Sequence, residues 1–146
     1  RLYGYLNFIC DTGGSICEWV DGDDPGDPLL TELSRHCLLV YIEGSEAHTA
    51  ELVRRFDRAP KPMAYQPEFL ARMWEEYLRE NKCKADEVDP DAFIRWTYAR
   101  ALAHRQPRYE RMAKWGVRVS ADEVAQATDA ARFDALIATA IERRAD

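Results

Sequence analysis

The sequence has no excess of positive charge and no long hydrophobic run, and both absences exclude classes of partner. Its 20 lysines and arginines stand against 26 aspartates and glutamates, which gives a formal net charge of −6 at pH 7. We therefore expect neither nucleic acid nor an anionic membrane surface as a partner. No segment reaches the ~20 apolar residues that span a bilayer, and the sequence shows no signal-peptide pattern.

The cysteines fall into no metal-binding or disulfide pattern. The four cysteines contain no CxxC pair, and with the three histidines they form no zinc-ligand spacing. We interpret the thiols as reduced and expect a cytoplasmic protein.

What the chain does have is an ordinary globular composition, 47% hydrophobic and 32% charged, over 146 residues. That length predicts one domain with a single core.

The hydrophobic pattern predicts an α/β fold. Three runs rich in apolar and β-branched residues predict strands at 3–10, 37–43 and 117–120. The first two are almost continuously apolar, which is typical of strands covered on both faces in a parallel sheet. Helical periodicity predicts helices at 29–36, 46–56, 68–80, 90–103 and 130–143. This order of elements favours a parallel sheet with flanking helices.

A carboxylate and a glycine turn follow the first predicted strand, in the sequence DTGGS at 11–15. Asp11-Thr12-Gly13 resembles the loop of an aspartic protease, but that mechanism needs two aspartates, and no second Asp-Thr/Ser-Gly exists. Two interpretations stay open. Asp11 can cap a structural turn, or it can stand at the carboxyl end of a parallel strand and reach Mg²⁺ directly or through water. In the second case Gly13 and Gly14 let the backbone approach a substrate.

Basic residues cluster at two places near predicted helix ends. One cluster follows the second predicted strand and its helix, at Arg54, Arg55 and Arg58, and the other is at 105–111. Guanidinium groups at junctions of loops and helices suit bidentate contact with phosphate or carboxylate. For any one of them, a solvated surface arginine is the alternative.

Taken in order, these segments resemble the C-terminal two-thirds of a shikimate-kinase-like P-loop kinase, in the nucleoside-monophosphate-kinase-like group. FICDTGGS (8–15) stands where that family runs a strand into a Thr-Gly-Gly-Gly substrate loop. LLTELSRHCLLVYIEGS (29–45) matches its next helix and strand, and LVRRFDRAPKPM (52–63) matches the helix that enters its lid. RQPRYERMA (105–113), followed by VRVSADE and a last helix, matches its Arg-x-Pro-Leu-Tyr-x-x-x-Ala element.

The resemblance implies ATP and Mg²⁺ as cofactors and a small molecule as the phosphoryl acceptor. It implies acceptor binding for four residues: Thr12, Gly13, Gly14 and Arg105. Asp11 and Arg105 would be the catalytic residues, and Asp11 would contact Mg²⁺ indirectly. Lys61, and with it Arg58, would belong to the lid that closes over ATP.

The chain departs from the family in three places, and one of them is Asp11, which replaces the residue that the family has before Thr-Gly-Gly. The phosphate loop GxxxxGK[ST] is absent, and in the family the strand before it lies between the first two strands predicted here. We therefore expect 1–146 to be one incomplete domain, missing that strand and its neighbour, inactive alone and able to form a homo-oligomer. Residues 65–104 form a helical insert that enlarges the lid, which argues against shikimate as the substrate.

Other functions stay open at this point. The chain can be a kinase or an ATPase, or a non-catalytic P-loop-derived module that binds a partner through its helical insert. The spacing Asp11-x-x-Gly14 also fits a GTPase DxxG motif, but no Asn-Lys-x-Asp guanine signature follows.

Overall fold

A computed structural model describes residues 8–12, 14–61, 63 and 65–145. These residues form a mixed α/β structure dominated by helices. Two short 3₁₀ turns occur at Gly14–Glu18 and Ala85–Glu87, and the two strands are β1 (Val40–Glu43) and β2 (Val117–Ser120). The α-helices, in chain order, are α1 (Pro28–His36), α2 (Glu46–Arg58), α3 (Pro67–Asn81), α4 (Pro90–Ala113), α5 (Ala121–Gln126) and α6 (Ala130–Ala145).

The two strands form a parallel pair, as the hydrophobic pattern predicts. Val40 lies opposite Val117, and Glu43 opposite Ser120. Helices α2, α3 and α4 make the crossover between the strands, since parallel neighbours cannot be joined by a hairpin. Both strands therefore end at the same edge of the sheet. In the part of the chain that the structure describes, β1 pairs with β2 alone, so its other edge borders no strand.

The predicted strand 3–10 is not found where the structure can test it. Residues 3–7 lie outside the described residues, and residues 8–10 have no regular structure. Phe8 and Ile9 are 83% and 84% exposed, so no second strand covers them. The predicted strand 37–43 begins only at Val40. Cys37 still belongs to the end of α1, because it caps that helix in an extended conformation and its N–H donates to the Leu33 carbonyl oxygen.

Local capping signals place the helix starts correctly. Asp27 accepts a hydrogen bond from the Leu30 N–H at 2.8 Å and Pro28 opens α1. This bond, with a second one from the Asp21 N–H, lowers the pKa of the Asp27 carboxyl. Ser45 caps α2, and Ser120 forms with Glu123 the capping box expected from the sequence.

Helix α4 is longer than predicted. The expected end near residue 103 is wrong, because the helix continues through Pro107 to Ala113. A proline inside a helix removes one hydrogen bond, but Ala101, Arg105 and Met112 are all buried along this helix, so packing outweighs the local loss. The proposed insert 65–104 is therefore continuous with the segment 105–113.

Three clusters of buried residues hold these elements together. Cys17, Leu30 and Met112 join the first 3₁₀ turn to α1 and α4. A second cluster packs α3 on α4 through Phe69, Met73 and Ala101. The third places α6 on β2 through valines 117 and 119 and Ala140. None of the helices in the described ranges combines the length and apolar content needed to cross a membrane.

Candidate functional site

A cleft of about 850 Å³ lies beside the unpaired edge of β1, within the size range of small-molecule sites. One wall is β1 itself, from Val40 to Ile42, continued by Gly44 and Ser45. Helices α2 and α4 form the sides, and residues 11, 12 and 14 of the DTGGS segment lie across from the strand. The cleft thus brings the DTGGS segment and the carboxyl end of β1 to the same surface.

The backbone at Gly14 is fixed by contacts with α4. Its carbonyl oxygen accepts hydrogen bonds from the Tyr109 hydroxyl at 2.9 Å and from the Cys17 thiol at 3.2 Å. A Cβ atom at position 14 would collide with the Tyr109 hydroxyl, so any larger residue would have to displace that side chain. Burial, with smaller contributions from Cys17, raises the pKa of Tyr109 to about 12. The phenol therefore stays protonated and keeps donating to the loop.

Arg105 holds the same loop through an ion pair. Its Nε lies 2.5 Å from Oε1 of Glu18, and the two side chains are only 6% and 5% exposed. The predicted placement of Arg105 at a junction of loop and helix is wrong, since it lies within α4. One turn later along α4, Arg108 contacts the Cys17 carbonyl oxygen at 3.5 Å. The guanidinium groups of RQPRY therefore secure the 14–18 turn.

Uncharged polar groups from β1 and α4 line the cleft. Gln106 donates from its amide to the Tyr41 hydroxyl at 2.8 Å, which joins α4 to β1. The Tyr41 ring stacks near that of Tyr109, with centroids 6.3 Å apart. Burial raises the pKa of Tyr41, against an opposing effect of the Gln106 hydrogen bond. These phenols and this amide are neutral hydrogen-bonding groups at neutral pH.

At the carboxyl end of β1, Ser45 and His48 also line the cleft. The Nδ1 atom of His48 lies 3.1 Å from the Ser45 N–H and 2.8 Å from its Oγ. Its Nε2 lies 3.8 Å from a carboxylate oxygen of Asp122 in α5. His48 thus takes the place of the glutamate or glutamine of a capping box and spans the ends of both strands.

The structure brings together only some of the residues predicted for a site. Asp11, Thr12 and Gly14 line the cleft, whereas Gly13 lies outside the described residues. Arg105 lies against Gly14, with Nη1 3.7 Å from the point where a Cβ would stand. Arg58, the last residue of α2, and Lys61 are exposed and do not belong to the described cleft wall.

Sequence reasoning missed four residues of this region. Gln106 and Tyr109 lie one and four positions after Arg105, so the helical spacing of α4 would have placed Tyr109 on the same face. Tyr41 lies in an apolar strand, and its hydroxyl, a polar group in that strand, is the feature that could have indicated it. Glu18 has no local signal, because its partner lies 87 residues away.

The described residues do not themselves form a cluster of metal ligands. They contain no group of three or more His, Cys, Asp or Glu side chains placed to hold a metal ion. Mg²⁺ in kinases is often held by one or two carboxylates together with substrate phosphates and water. Asp11 is the carboxylate of the DTGGS segment that lines the cleft.

Comparison with known proteins leaves the chain without an assigned family. No protein-family model, no curated protein and no solved structure matches it.

Proposed function

We propose that this chain is the distal part of an ATP-dependent P-loop kinase or ATPase that transfers a phosphoryl group to a small molecule. The observation that carries the proposal is the position of the cleft. It separates the DTGGS segment from the unpaired edge of β1, and the resemblance puts the phosphate-loop strand between those two segments.

The direction of the strands supports this proposal. Parallel β1 and β2 end together, at Glu43 and Ser120, and Gly44 and Ser45 line the cleft at that end. A strand added in parallel beside β1 would deliver its following loop to the same edge. Ligands of open α/β sheets bind at the carboxyl ends of the strands, and Asp11 and Thr12 line the same cleft.

The geometry changes the role that we propose for Arg105. Because Glu18 occupies its Nε, we assign Arg105 as a positioning residue that holds the acceptor loop, together with Tyr109. Phosphoryl transfer depends on positioning and charge neutralisation, and Mg²⁺ bound to the nucleotide phosphates would supply the latter. Asp11 is our candidate for the carboxylate nearest that ion. We retain Lys61 and Arg58 as lid residues on the resemblance alone.

A non-catalytic interaction module is the second candidate. The observation that favours it is that the charged side chains expected for catalysis are paired within the protein or lie outside the cleft wall. Arg105 is buried against Glu18, and Arg58 and Lys61 stand outside the described cleft wall. A chain that had lost phosphoryl transfer would keep such residues for folding.

Calorimetric titration of ATP and Mg²⁺ distinguishes the two functions, with the protein as its whole open reading frame encodes it. A kinase or ATPase should carry GxxxxGK[ST] in that frame, bind ATP and consume it. Asp11→Asn should then lower kcat at least about tenfold, or 1.4 kcal/mol in the activation barrier. Asp134→Asn, at an exposed position on α6, is the matched control and should leave kcat unchanged. Absence of both ATP binding and the motif would refute the proposal and leave the interaction module.

A further inference from the structure

We propose that Ser45 and His48 form a nucleophile and base pair that cleaves small, uncharged carboxylic esters at the edge where both strands end. Asp122 supports the pair as a positioning residue. This activity goes beyond the proposed function and does not depend on it. Ser45 follows the last residue of β1, Glu43, by two positions, so the site lies beyond the space that a strand paired with β1 would occupy.

The hydrogen bonds of His48 determine which of its ring nitrogens is the base. The Ser45 N–H donates to Nδ1 of His48 at 3.1 Å. Because that bond needs a lone pair on Nδ1, the neutral imidazole carries its proton on Nε2. The Ser45 hydroxyl lies 2.8 Å from the same Nδ1 and therefore faces an unprotonated nitrogen. A serine that can pass its proton to a neighbouring imidazole is an activated nucleophile.

Asp122 adds a negative charge on the far side of the imidazole. Its carboxylate oxygen is 3.8 Å from Nε2 of His48, which is longer than a hydrogen bond, so its effect is electrostatic. When Nδ1 takes the serine proton, this charge stabilises the imidazolium that forms. Asp122 lies in α5, directly after β2, whereas Ser45 and His48 lie at the start of α2. The parallel pairing of the strands brings these two segments to one edge.

The second capping box of the chain shows what His48 adds. Ser120 also caps a helix directly after a strand, and its partner is Glu123. That carboxylate accepts hydrogen bonds from the Ser120 N–H at 2.8 Å and from its hydroxyl at 3.0 Å, and its pKa is lowered to about 2. So weak a base does not take a serine proton at neutral pH. The Ser45 box has an imidazole instead, the side chain that most often serves as a general base.

The place of Ser45 in the fold suits a nucleophile. It is exposed and lies in the turn between β1 and α2. A serine between a strand and the next helix presents its hydroxyl at the top of the sheet, which is the context of the nucleophile elbow in serine hydrolases. The glycines of the GxSxG elbow do not flank Ser45, and its backbone is extended, with φ of −77°, so the resemblance is one of position.

The neighbouring groups indicate the class of ester. The N–H groups of Glu46 and Ala47 belong to the first turn of α2, where N–H groups have no partner within the helix. They can donate to the oxyanion that forms when Ser45 attacks a carbonyl carbon. The side chains of Glu46 and Asp122 are acidic, so they repel anionic esters and favour uncharged ones.

The proposed reaction balances as ester hydrolysis. The Ser45 Oγ bonds to the ester carbonyl carbon while its proton passes to Nδ1 of His48. The bond from that carbon to the alcohol oxygen then breaks, and the alcohol leaves with the proton. Water next gives a proton to Nδ1 as its oxygen bonds to the acyl carbon. The Ser45 Oγ leaves and recovers this proton, so ester and water give carboxylic acid and alcohol.

Diisopropyl fluorophosphate tests the nucleophile, because this uncharged reagent phosphorylates activated serines with loss of fluoride. With the protein encoded by the whole open reading frame, mass spectrometry of its peptides should locate the label on Ser45. The protein should also hydrolyse p-nitrophenyl acetate. Ser45→Ala should abolish both, whereas Ser34→Ala, at an exposed serine of α1, should change neither. The proposal is overturned if Ser45 is labelled no faster than Ser34, or if hydrolysis is absent or survives in Ser45→Ala.

His48→Gln separates catalysis from helix capping. Glutamine is one of the usual residues at this position of a capping box, so the midpoint of urea unfolding should stay unchanged. The labelling rate of Ser45 should fall at least about 100-fold, because the base is lost. Equal rates in the wild type and in His48→Gln would mean that His48 only caps the helix, and would overturn the proposal. If the variant does not fold, labelling and hydrolysis by the wild type still decide.

Asp122→Asn tests the positioning residue through its salt dependence. At low ionic strength the labelling rate of Ser45 should fall about threefold or more, and the difference should disappear at about 1 M salt, where the Debye length is about 3 Å. A purely structural role of Asp122 would not show this dependence. Equal rates at low ionic strength, or a difference that persists at high salt, would contradict the role of Asp122.

Discussion

The buried ion pair between Arg105 and Glu18 allows a quantitative prediction for Arg105→Met. Methionine retains much of the length of the side chain but removes the charge, leaving the Glu18 carboxylate buried at 5% exposure. Removing one partner of a buried pair costs about 3–5 kcal/mol. A domain of this size has a free energy of unfolding of about 5–15 kcal/mol. We therefore expect the variant to fold but to lose a large share of its stability.

Urea unfolding followed by the fluorescence of the four tryptophans measures this loss, provided that the m-value stays constant. Arg143→Met is the matched control. Arg143 makes a 3.0 Å contact with Glu123, but its side chain is 59% exposed. A pair of this kind contributes about 0–1 kcal/mol, so the control should lose about 1 kcal/mol or less.

The double variant Arg105→Met/Glu18→Leu completes the test. Replacing both charges with apolar groups removes the uncompensated carboxylate, so it should be more stable than Arg105→Met alone. A loss below about 1 kcal/mol in Arg105→Met would refute the reasoning. So would a double variant whose loss equals the sum of the two single losses, because that result means no coupling between the residues.

Two further predictions concern the loop and the capping box. Gly14→Ala should lower the free energy of unfolding by about 1–3 kcal/mol through overpacking, because its Cβ meets the Tyr109 hydroxyl; in a Tyr109→Phe background the loss should be smaller, and equal losses in both backgrounds would contradict this. In the folded state the pKa of Glu123 is lowered to about 2, first by the Ser120 N–H and then by Arg143. The stabilisation by its carboxylate should be complete above the unfolded pKa near 4.5 and disappear as the pH falls towards 2. Glu123→Gln should flatten that part of the acid-unfolding curve measured by circular dichroism, and an unchanged curve would count against this linkage.

The parts of the fold that the sequence predicted are those with local causes. Asp27-Pro28 and the capping box at Ser120 act within one helical turn, so their residues indicate the helix starts directly. The parallel pairing of β1 and β2 followed from apolar runs separated by helices, and the structure confirms it. Predictions failed where distant contacts decide. Pro107 was interpreted as lying beyond the end of a helix, yet burial of neighbouring α4 residues keeps that helix continuous.

The candidate site shows the same limit in its charges. The sequence offered Arg105 as a cation for a ligand because arginines near a predicted helix end suit anion binding. It could not reveal that Glu18, 87 residues earlier, is the anion that Arg105 binds. Because Arg105 pairs with Glu18, it supports the Gly14–Glu18 turn, although arginine at such a position is often associated with substrate recognition.

The same ion pair is one of three contacts that hold the loop. Arg108 and Tyr109 follow Arg105 by one turn of α4, and each of the three residues contacts the 14–18 turn. A turn held at three points presents a fixed backbone to the cleft, and the Arg105 guanidinium is bound to the protein's own carboxylate at Glu18. Arg105 therefore serves the fold of the turn, which is why Arg105→Met is expected to lower the free energy of unfolding.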